Sequence, residues 1–84
     1  MTHFGFVARV RNFASIAILN QLCKELDNVD IDVQQGRYIV DGKSILGLHS
    51  IDLFSDFVMV FVSHANFTES EISKIENIRN IFGE

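Results

Sequence analysis

The sequence predicts an α+β fold in which one four-stranded antiparallel sheet carries three helices on one face. The hydrophobic period switches between two and about 3.6 residues along the chain, in the order β-α-β-β-α-β-α. Each predicted helix has one apolar stripe, and a shared sheet face would bury all of these stripes. The second and third strands are separated by a very short turn, which favours an antiparallel hairpin. Together these patterns indicate an open-faced β-sandwich.

Composition limits the classes of function. The chain has 84 residues, 48% of them hydrophobic, and a net charge of −4. This predicts a single packed domain spanning residues 1–84 rather than a disordered chain. The negative charge argues against nonspecific binding to nucleic acid or to an anionic membrane. The lone Cys23 can form no internal disulfide, and no membrane span or signal pattern is recognisable, so we expect a cytoplasmic protein.

The N-terminal third predicts a strand followed by a helix. The first strand has a buried face formed by Phe4, Phe6, Ala8 and Val10. From about Ala14 the period becomes helical, with Asn12 or Ser15 as the candidate cap. The helix has an apolar stripe of Leu19, Leu22, Cys23 and Leu26, and a polar side of Asn20, Gln21, Lys24 and Glu25. Ile16 and Ile18 lie off this stripe, so we expect them to be partly exposed as a contact patch.

The remaining elements follow the same logic. Residues 29–34 and 37–40 read as a hairpin joined at Gln35-Gly36. The apolar run 57–62 predicts a strand that is central or covered on both faces, and right-handed crossovers place the first and fourth strands near the sheet centre. Thr68 to Glu71 form a capping box. The final helix then buries Ile72, Ile75, Ile78 and Phe82, with Lys74 and Arg79 solvated.

The segment from Val40 to Leu48 is the pivot of the chain. Asp41-Gly42 predicts a turn, and Ser44 opens a short helix that extends to about Ile51. Free amides and the helix dipole at that end, with Lys43 beside them, favour an anion such as a phosphate on Ser44. The more usual role of such a serine is that of a plain N-cap.

No residue pattern indicates an enzyme, a cofactor or a metal site. His3, His49 and His64 are far apart in sequence and predict solvated surface histidines, and Cys23 predicts a core filler. The acidic groups are best explained as solubilising charges or as helix-end charges. Neither a nucleotide-binding glycine motif nor a Ser/His/Asp arrangement is present, so we expect no cofactor and no catalytic residue.

The segment from Asp41 to Leu48 closely resembles the regulatory-serine segment of HPr, the phosphocarrier of the bacterial sugar phosphotransferase system. The element order and chain length agree over essentially the whole chain. This resemblance implies that Ser44 is the site of regulatory phosphorylation by a serine kinase. It also implies that Ile45, Leu46 and His49 dock partner proteins, with Lys43 and Ile16 beside them.

The sequence departs from HPr at the phosphocarrier site. HPr carries its phosphoryl group on a histidine at the start of the first helix, whereas the matching position here is Phe13 or, in a second alignment, Ser15. The arginine that follows is replaced by Ser15 or Ala17, and the proline by Ile16 or Ile18. No histidine lies between His3 and His49, and phenylalanine cannot accept a phosphoryl group.

Three functional hypotheses follow from this resemblance. The first is a non-catalytic regulatory module, similar to the catabolite-repression homologue of HPr, which binds proteins and is phosphorylated at Ser44. Its partners would be a serine kinase or phosphatase of the HPr type, a transcriptional repressor, or phosphotransferase-system components, and neither nucleic acid nor membrane. The second is a phosphocarrier whose acceptor has moved to Ser15 or a remote histidine. The third is a protein-interaction scaffold without a phosphate role.

Overall fold

The computed structural model describes residues 1–84 and has the predicted order of elements. Gly36, at the β2–β3 turn, has a φ of 59°, which glycine adopts without strain. The strands and helices are β1 (Thr2–Ala8), α1 (Ala14–Lys24), β2 (Val29–Gln35), β3 (Tyr38–Asp41), α2 (Ile45–Leu48), β4 (Phe57–Ser63) and α3 (Glu69–Phe82).

The four strands form one antiparallel sheet in the order β1-β4-β2-β3. Strand β4 pairs with β1 on one side and with β2 on the other, so its predicted central position is confirmed. The prediction that β1 is also central is wrong. Strands β1 and β2 run in the same direction, and β4 fills the gap that the α1 crossover leaves between them. Strand β1 therefore lies at a sheet edge.

The helices cover one face of the sheet, and the core lies between the two layers. Strand β4 shows this division: Phe57, Met59 and Phe61 are buried, whereas the intervening valines lie on the other face and are only partly covered. The core is a single cluster of 17 buried apolar residues drawn from the elements and the loops between them. No helix is both long enough and apolar enough to cross a lipid bilayer.

Helix α1 differs from its prediction at two residues. Ile16 is only 5% exposed and belongs to the core, so its expected surface position is wrong. Asn20 was expected on the polar side, but it is 6% exposed and its amide donates to the Gly42 carbonyl at 3.2 Å. The apolar stripe is therefore rotated toward these residues. Ile18 is half exposed, as expected.

The predicted cap of α3 is confirmed, and that of α1 in part. At α1, Phe13 is the residue immediately before the helix and makes no side-chain cap bond, but the Asn12 side-chain oxygen accepts from the Ser15 amide at 3.0 Å. At α3, Thr68 and Glu71 form the predicted capping box, each side chain accepting from the other's backbone amide.

Two residues predicted to be buried are exposed. Phe4 on β1 is 38% exposed and Ile72 on α3 is 44% exposed. The cause is the edge position of β1, because no further strand covers the space beside it. The other three predicted core residues of α3 are buried.

Candidate functional site

The turn before Ser44 is built around a close approach of the chain to the core. Gly42 is buried, and its amide donates to the Ile31 carbonyl at 2.9 Å. A side-chain carbon at this position would lie 2.8 Å from Ile31 Cγ2 and 3.2 Å from Cys23 Sγ. Gly42 does not have a positive φ, so space rather than backbone freedom requires glycine here.

Ser44 caps α2, as the sequence predicts. Its backbone is extended, with φ −100° and ψ 109°, and its hydroxyl oxygen accepts from the Gly47 amide at 3.1 Å. The helix itself is shorter than predicted, ending at Leu48 instead of about Ile51. The Gly47 carbonyl accepts from both the amide and the hydroxyl of Ser50, and these bonds close the final turn.

The electrostatics at Ser44 are less favourable to an anion than the sequence suggested. Helix α2 has only four residues, so few peptide dipoles are aligned. Lys43 precedes Ser44, but Asp41 is also adjacent: its carboxylate accepts from the Lys43 amide at 2.8 Å, and its carbonyl from the Ser44 amide at 2.9 Å. Ser44 therefore follows one basic and one acidic residue of the turn, Lys43 and Asp41.

Three exposed residues from two helix ends lie around α2. We call Phe13, Leu46 and His49 the pivot surface. Phe13 is 68% exposed and Leu46 is 81% exposed, and the Phe13 and His49 rings lie 5.5 Å apart between centroids. Leu46 and His49 are three positions apart, which places them on one side of the helix turn. Ile45 is half-buried against the core. The buried Ile16 does not contribute to this surface.

The start of α1 contains no histidine. Phe13 is the residue immediately before α1, and it has no ionisable atom. The Ser15 hydroxyl donates to the Asn12 amide oxygen at 2.9 Å. An amide oxygen is not a base at neutral pH, so this bond does not activate the hydroxyl as a nucleophile.

The other two histidines lie away from the pivot surface. His3 is exposed on β1. His64 Nε2 lies 3.2 Å from the Asp30 carboxylate, a pairing that the sequence analysis did not predict. Both side chains of this pair are largely exposed, at 73% and 71%. No three His, Cys, Asp or Glu side chains cluster as a metal site would require.

Two side chains that position the site were missed from the sequence. Asn20 ties α1 to the Gly42 turn through its buried hydrogen bond. Gln35 ties the end of β2 to the α2–β4 loop, because its side-chain oxygen accepts from the Asp52 amide at 3.0 Å and its nitrogen donates to the Asp56 carbonyl at 3.2 Å. A lone amide side chain carries no sequence signal for such distant partners.

Cys23 lies directly beneath the turn. Its side chain is buried, and burial raises the pKa of the thiol from 9.0 to about 12; Asp41 adds to this rise and Lys43 opposes it. The thiol therefore stays protonated at neutral pH and is a poor nucleophile. Its predicted role as a core filler is confirmed.

Comparison with known proteins relates this geometry to a known fold. No family model matches the sequence, and no curated protein matches it. Among solved structures, HPr-C-His from Thermoanaerobacter tengcongensis is 17% identical with a TM-score of 0.66, covering 93% of this chain and 90% of that one. A phosphocarrier protein HPr from Bacillus anthracis is also 17% identical, with a TM-score of 0.64 over 92% and 90% of the two chains. The chain therefore has the open-faced α+β fold of HPr phosphocarrier proteins.

Proposed function

We propose that this chain is a regulatory protein-binding module related to the sugar phosphotransferase system, phosphorylated at Ser44 and inactive in histidine phosphotransfer at the start of α1. The HPr-like fold supports a relation to that system. The resemblance of the segment from Asp41 to Leu48 to the regulatory-serine segment of HPr supports the role of Ser44. Phe13 or Ser15, in place of an acceptor histidine, supports the loss of phosphotransfer. We place this function in the cytoplasm, where a single reduced cysteine is common.

The observation that carries the proposal is the pivot surface. Phe13 and Leu46 are apolar and largely exposed, at the ends of neighbouring helices, with His49 against the Phe13 ring. Large exposed apolar side chains that cluster are typical of protein contacts. Ser44 lies two positions before Leu46, so its modification would change the charge at the border of this surface.

The effect of phosphorylation would be electrostatic. A phosphate adds a charge of roughly −1.5 to −2 at pH 7 and three acceptor oxygens. The half-buried hydroxyl now accepts one backbone hydrogen bond, from Gly47. With phosphate attached, Lys43 and a basic partner side chain would compete for the new charge, while Asp41 would oppose its retention within the turn. We infer that the modified surface favours partners rich in arginine.

The test is incubation with ATP and a serine kinase of the HPr type, followed by intact-mass measurement. We expect one added phosphate on the natural chain and on the control variant Ser70→Ala, and none on Ser44→Ala. Ser70 is the appropriate control because it is exposed on α3 and its hydroxyl makes no hydrogen bond that supports α2. Absence of a mass gain on the natural chain would remove the regulatory role of Ser44.

A second candidate is a phosphocarrier with a relocated acceptor, and the pair of His64 and Asp30 is the observation that favours it. A hydrogen bond from His64 Nε2 to the Asp30 carboxylate would leave His64 Nδ1 free to accept a phosphoryl group. Acid-labile label transferred from phosphoenolpyruvate by enzyme I, lost in His64→Asn and kept in His3→Asn, would support it. If the natural chain takes up no label, the relocated-acceptor hypothesis is excluded.

Capture of a partner protein by variants of this chain distinguishes a scaffold role without phosphate from the phosphorylated module. Leu46→Asp should abolish capture of the kinase or repressor under either hypothesis. Leu46 is a cleaner site for this change than Ile45, which packs against the core. Capture that is equal for Ser44→Ala and Ser44→Asp would favour the scaffold over the phosphorylated module. Ile81→Asp, at a half-exposed residue of α3, is the matched control.

A further inference from the structure

The outer edge of β1 has an occupied half and a free half. The last residues of the chain occupy one half: the Glu84 amide donates to the Val7 carbonyl at 2.8 Å, and the Arg9 amide donates to the Phe82 carbonyl at 3.0 Å. Between these bonds, Ala8 and Gly83 form an antiparallel bridge. This edge thus already accepts an extended segment as an additional strand.

The free half extends toward the start of β1. In an antiparallel pair, alternate residues direct both backbone groups to the same neighbour. Because the Val7 carbonyl points to the outer edge, the amides and carbonyls of Gly5 and His3 do so as well. No loop or turn segment hydrogen-bonds to either residue. Residues 2–7 also contain no proline, lysine or acidic residue, which are the usual means of blocking an edge.

An apolar groove runs beside this free half, between β1 and α3. Its volume is about 300 Å³, and its apolar lining is Phe4, Phe67, Ile72 and Ile75. Phe4 and Ile72 are exposed here although both were predicted to be buried. A strand paired with Gly5 and His3 would direct every second side chain toward the helix layer, and hence into this groove.

The groove is lined by one basic and one acidic side chain, Arg79 and Glu76. The Arg79 guanidinium lies 5.9 Å from the centroid of the Phe4 ring and forms no ion pair. The two arginines that follow β1 differ in this respect, since both pair with Glu84. Glu76 lines the groove three positions before Arg79, which confines a bound carboxylate to the Arg79 end. The groove is complementary to an apolar side chain next to an acidic one.

We propose that the free half of β1 and this groove bind an extended peptide segment of a partner protein by strand addition. The peptide backbone pairs with His3 and Gly5. An apolar side chain of the peptide packs on Phe4 and Ile72, and a carboxylate two positions away binds Arg79. Main-chain pairing supplies affinity in this mode of recognition, and alternate side chains supply specificity. The surface is separate from the pivot surface, so one partner could bind at each.

A phage-displayed library of random dodecapeptides, selected against the folded full-length chain, tests the proposal. We expect the selected peptides to converge on a β-branched or aromatic residue two positions from an aspartate or glutamate. Synthetic versions should shift the backbone amide resonances of His3 and Gly5 and of α3 residues around Ile72. The resonances of Phe13 and Leu46 should not move.

Matched variants separate backbone pairing from side-chain contact. His3→Pro removes an outward amide without removing a bond of the sheet, and proline is tolerated at such an edge position. This variant should lower the affinity for the selected peptide by at least about tenfold, since a hydrogen bond is lost and the proline ring obstructs pairing. His3→Ala keeps the amide and should bind as the natural chain does. Ile72→Glu should lose binding, whereas Ile81→Glu, half-exposed on the same helix outside the groove, should retain it.

Arg79→Gln provides a further readout, because it should remove the selection for acidic residues while leaving the apolar position intact. Four results would each overturn the proposal. The selection could enrich no sequence, or the resonance shifts could lie on the pivot surface. The His3→Pro variant could bind the peptide as tightly as the natural chain, or sedimentation analysis could show that a second copy of the chain occupies the edge. Circular dichroism of every variant establishes that the fold is retained.

Discussion

Burial determines the chemistry of the residues beneath the Ser44 turn more than their type does. Cys23, Gly42 and Asn20 are adjacent there, and each is constrained by its neighbours. The Cys23 thiol is fully buried, and a side chain at Gly42 would clash with Ile31. The Asn20 amide donates to the Gly42 carbonyl. Loss of the Asn20 amide would leave that carbonyl without its partner, which costs about 1–3 kcal/mol for a buried group.

The Cys23 thiol should titrate far above the normal range in the folded protein. Its pKa is raised to about 12 by burial, against 9.0 in the unfolded chain. Because the folded state holds the proton more tightly, the thiol's contribution to stability is fully present below pH 9 and is lost as the pH rises toward 12. Thiolate absorbance should therefore stay low in the native protein at pH 10 and appear on addition of urea. A native thiolate at pH 9 would contradict this prediction.

Helix ends account for most of the agreement and disagreement between the predicted and the observed helices. The caps of α1 and α3 are local arrangements, with donor and acceptor three residues apart, and both follow from the sequence. The end of α2 was misplaced, because bonds from Ser50 to the Gly47 carbonyl close the helix after four residues. Apolar residues beyond Leu48 gave the appearance of a longer stripe.

The capping box of α3 should contribute measurably to stability. Thr68→Ala removes the hydroxyl that accepts from the Glu71 amide at 3.1 Å, so we expect a loss of about 1 kcal/mol in the free energy of unfolding. Urea denaturation measures the change, with an unchanged slope if the fold is retained. Ser70→Ala, at an exposed position without a side-chain bond, should have little effect. Equal losses in the two variants would disprove a specific role for the cap.

At the scale of the whole molecule, the sheet order separates protected strands from accessible ones. Strand β4 has partners on both sides and supplies three buried core residues. Strand β1 lies at one edge, where the chain's C-terminal residues cover only its second half. Strand β3 lies at the other edge and has no buried residue. The two long central strands thus form the most stable part of the fold.

Native-state hydrogen exchange should reproduce this order. Amides of β4 and of β2 facing β4 should exchange most slowly, near the global free energy of unfolding. Within β1, the amides of His3 and Gly5 should exchange faster than the amides that pair with β4, because they face the free edge. Protection of these two amides equal to that of β4 would mean that the free edge is covered, for example by self-association, and would contradict the edge assignment.

Local pattern was sufficient for the element types, the two caps, the pivot turn and the burial of Cys23. The contacts that build the candidate site could not be predicted in the same way. The approach of Phe13 to His49 and of Asn20 to Gly42 joins residues far apart in sequence, and single side chains do not specify such partners. Exposure also depends on neighbours: Ile16 is buried and Phe4 is exposed because of the layer packing and the edge position of β1.

Local patterns account for the α+β class, the order of elements and Ser44 as an N-cap, because alternation, helical stripes and capping residues act over a few positions. Long-range packing places β1 at a sheet edge, buries Ile16 in the core, and leaves a groove between β1 and α3. These features depend on which strand fills the gap after the first crossover. That choice is made by long-range pairing, in which β4 gains two neighbours instead of one.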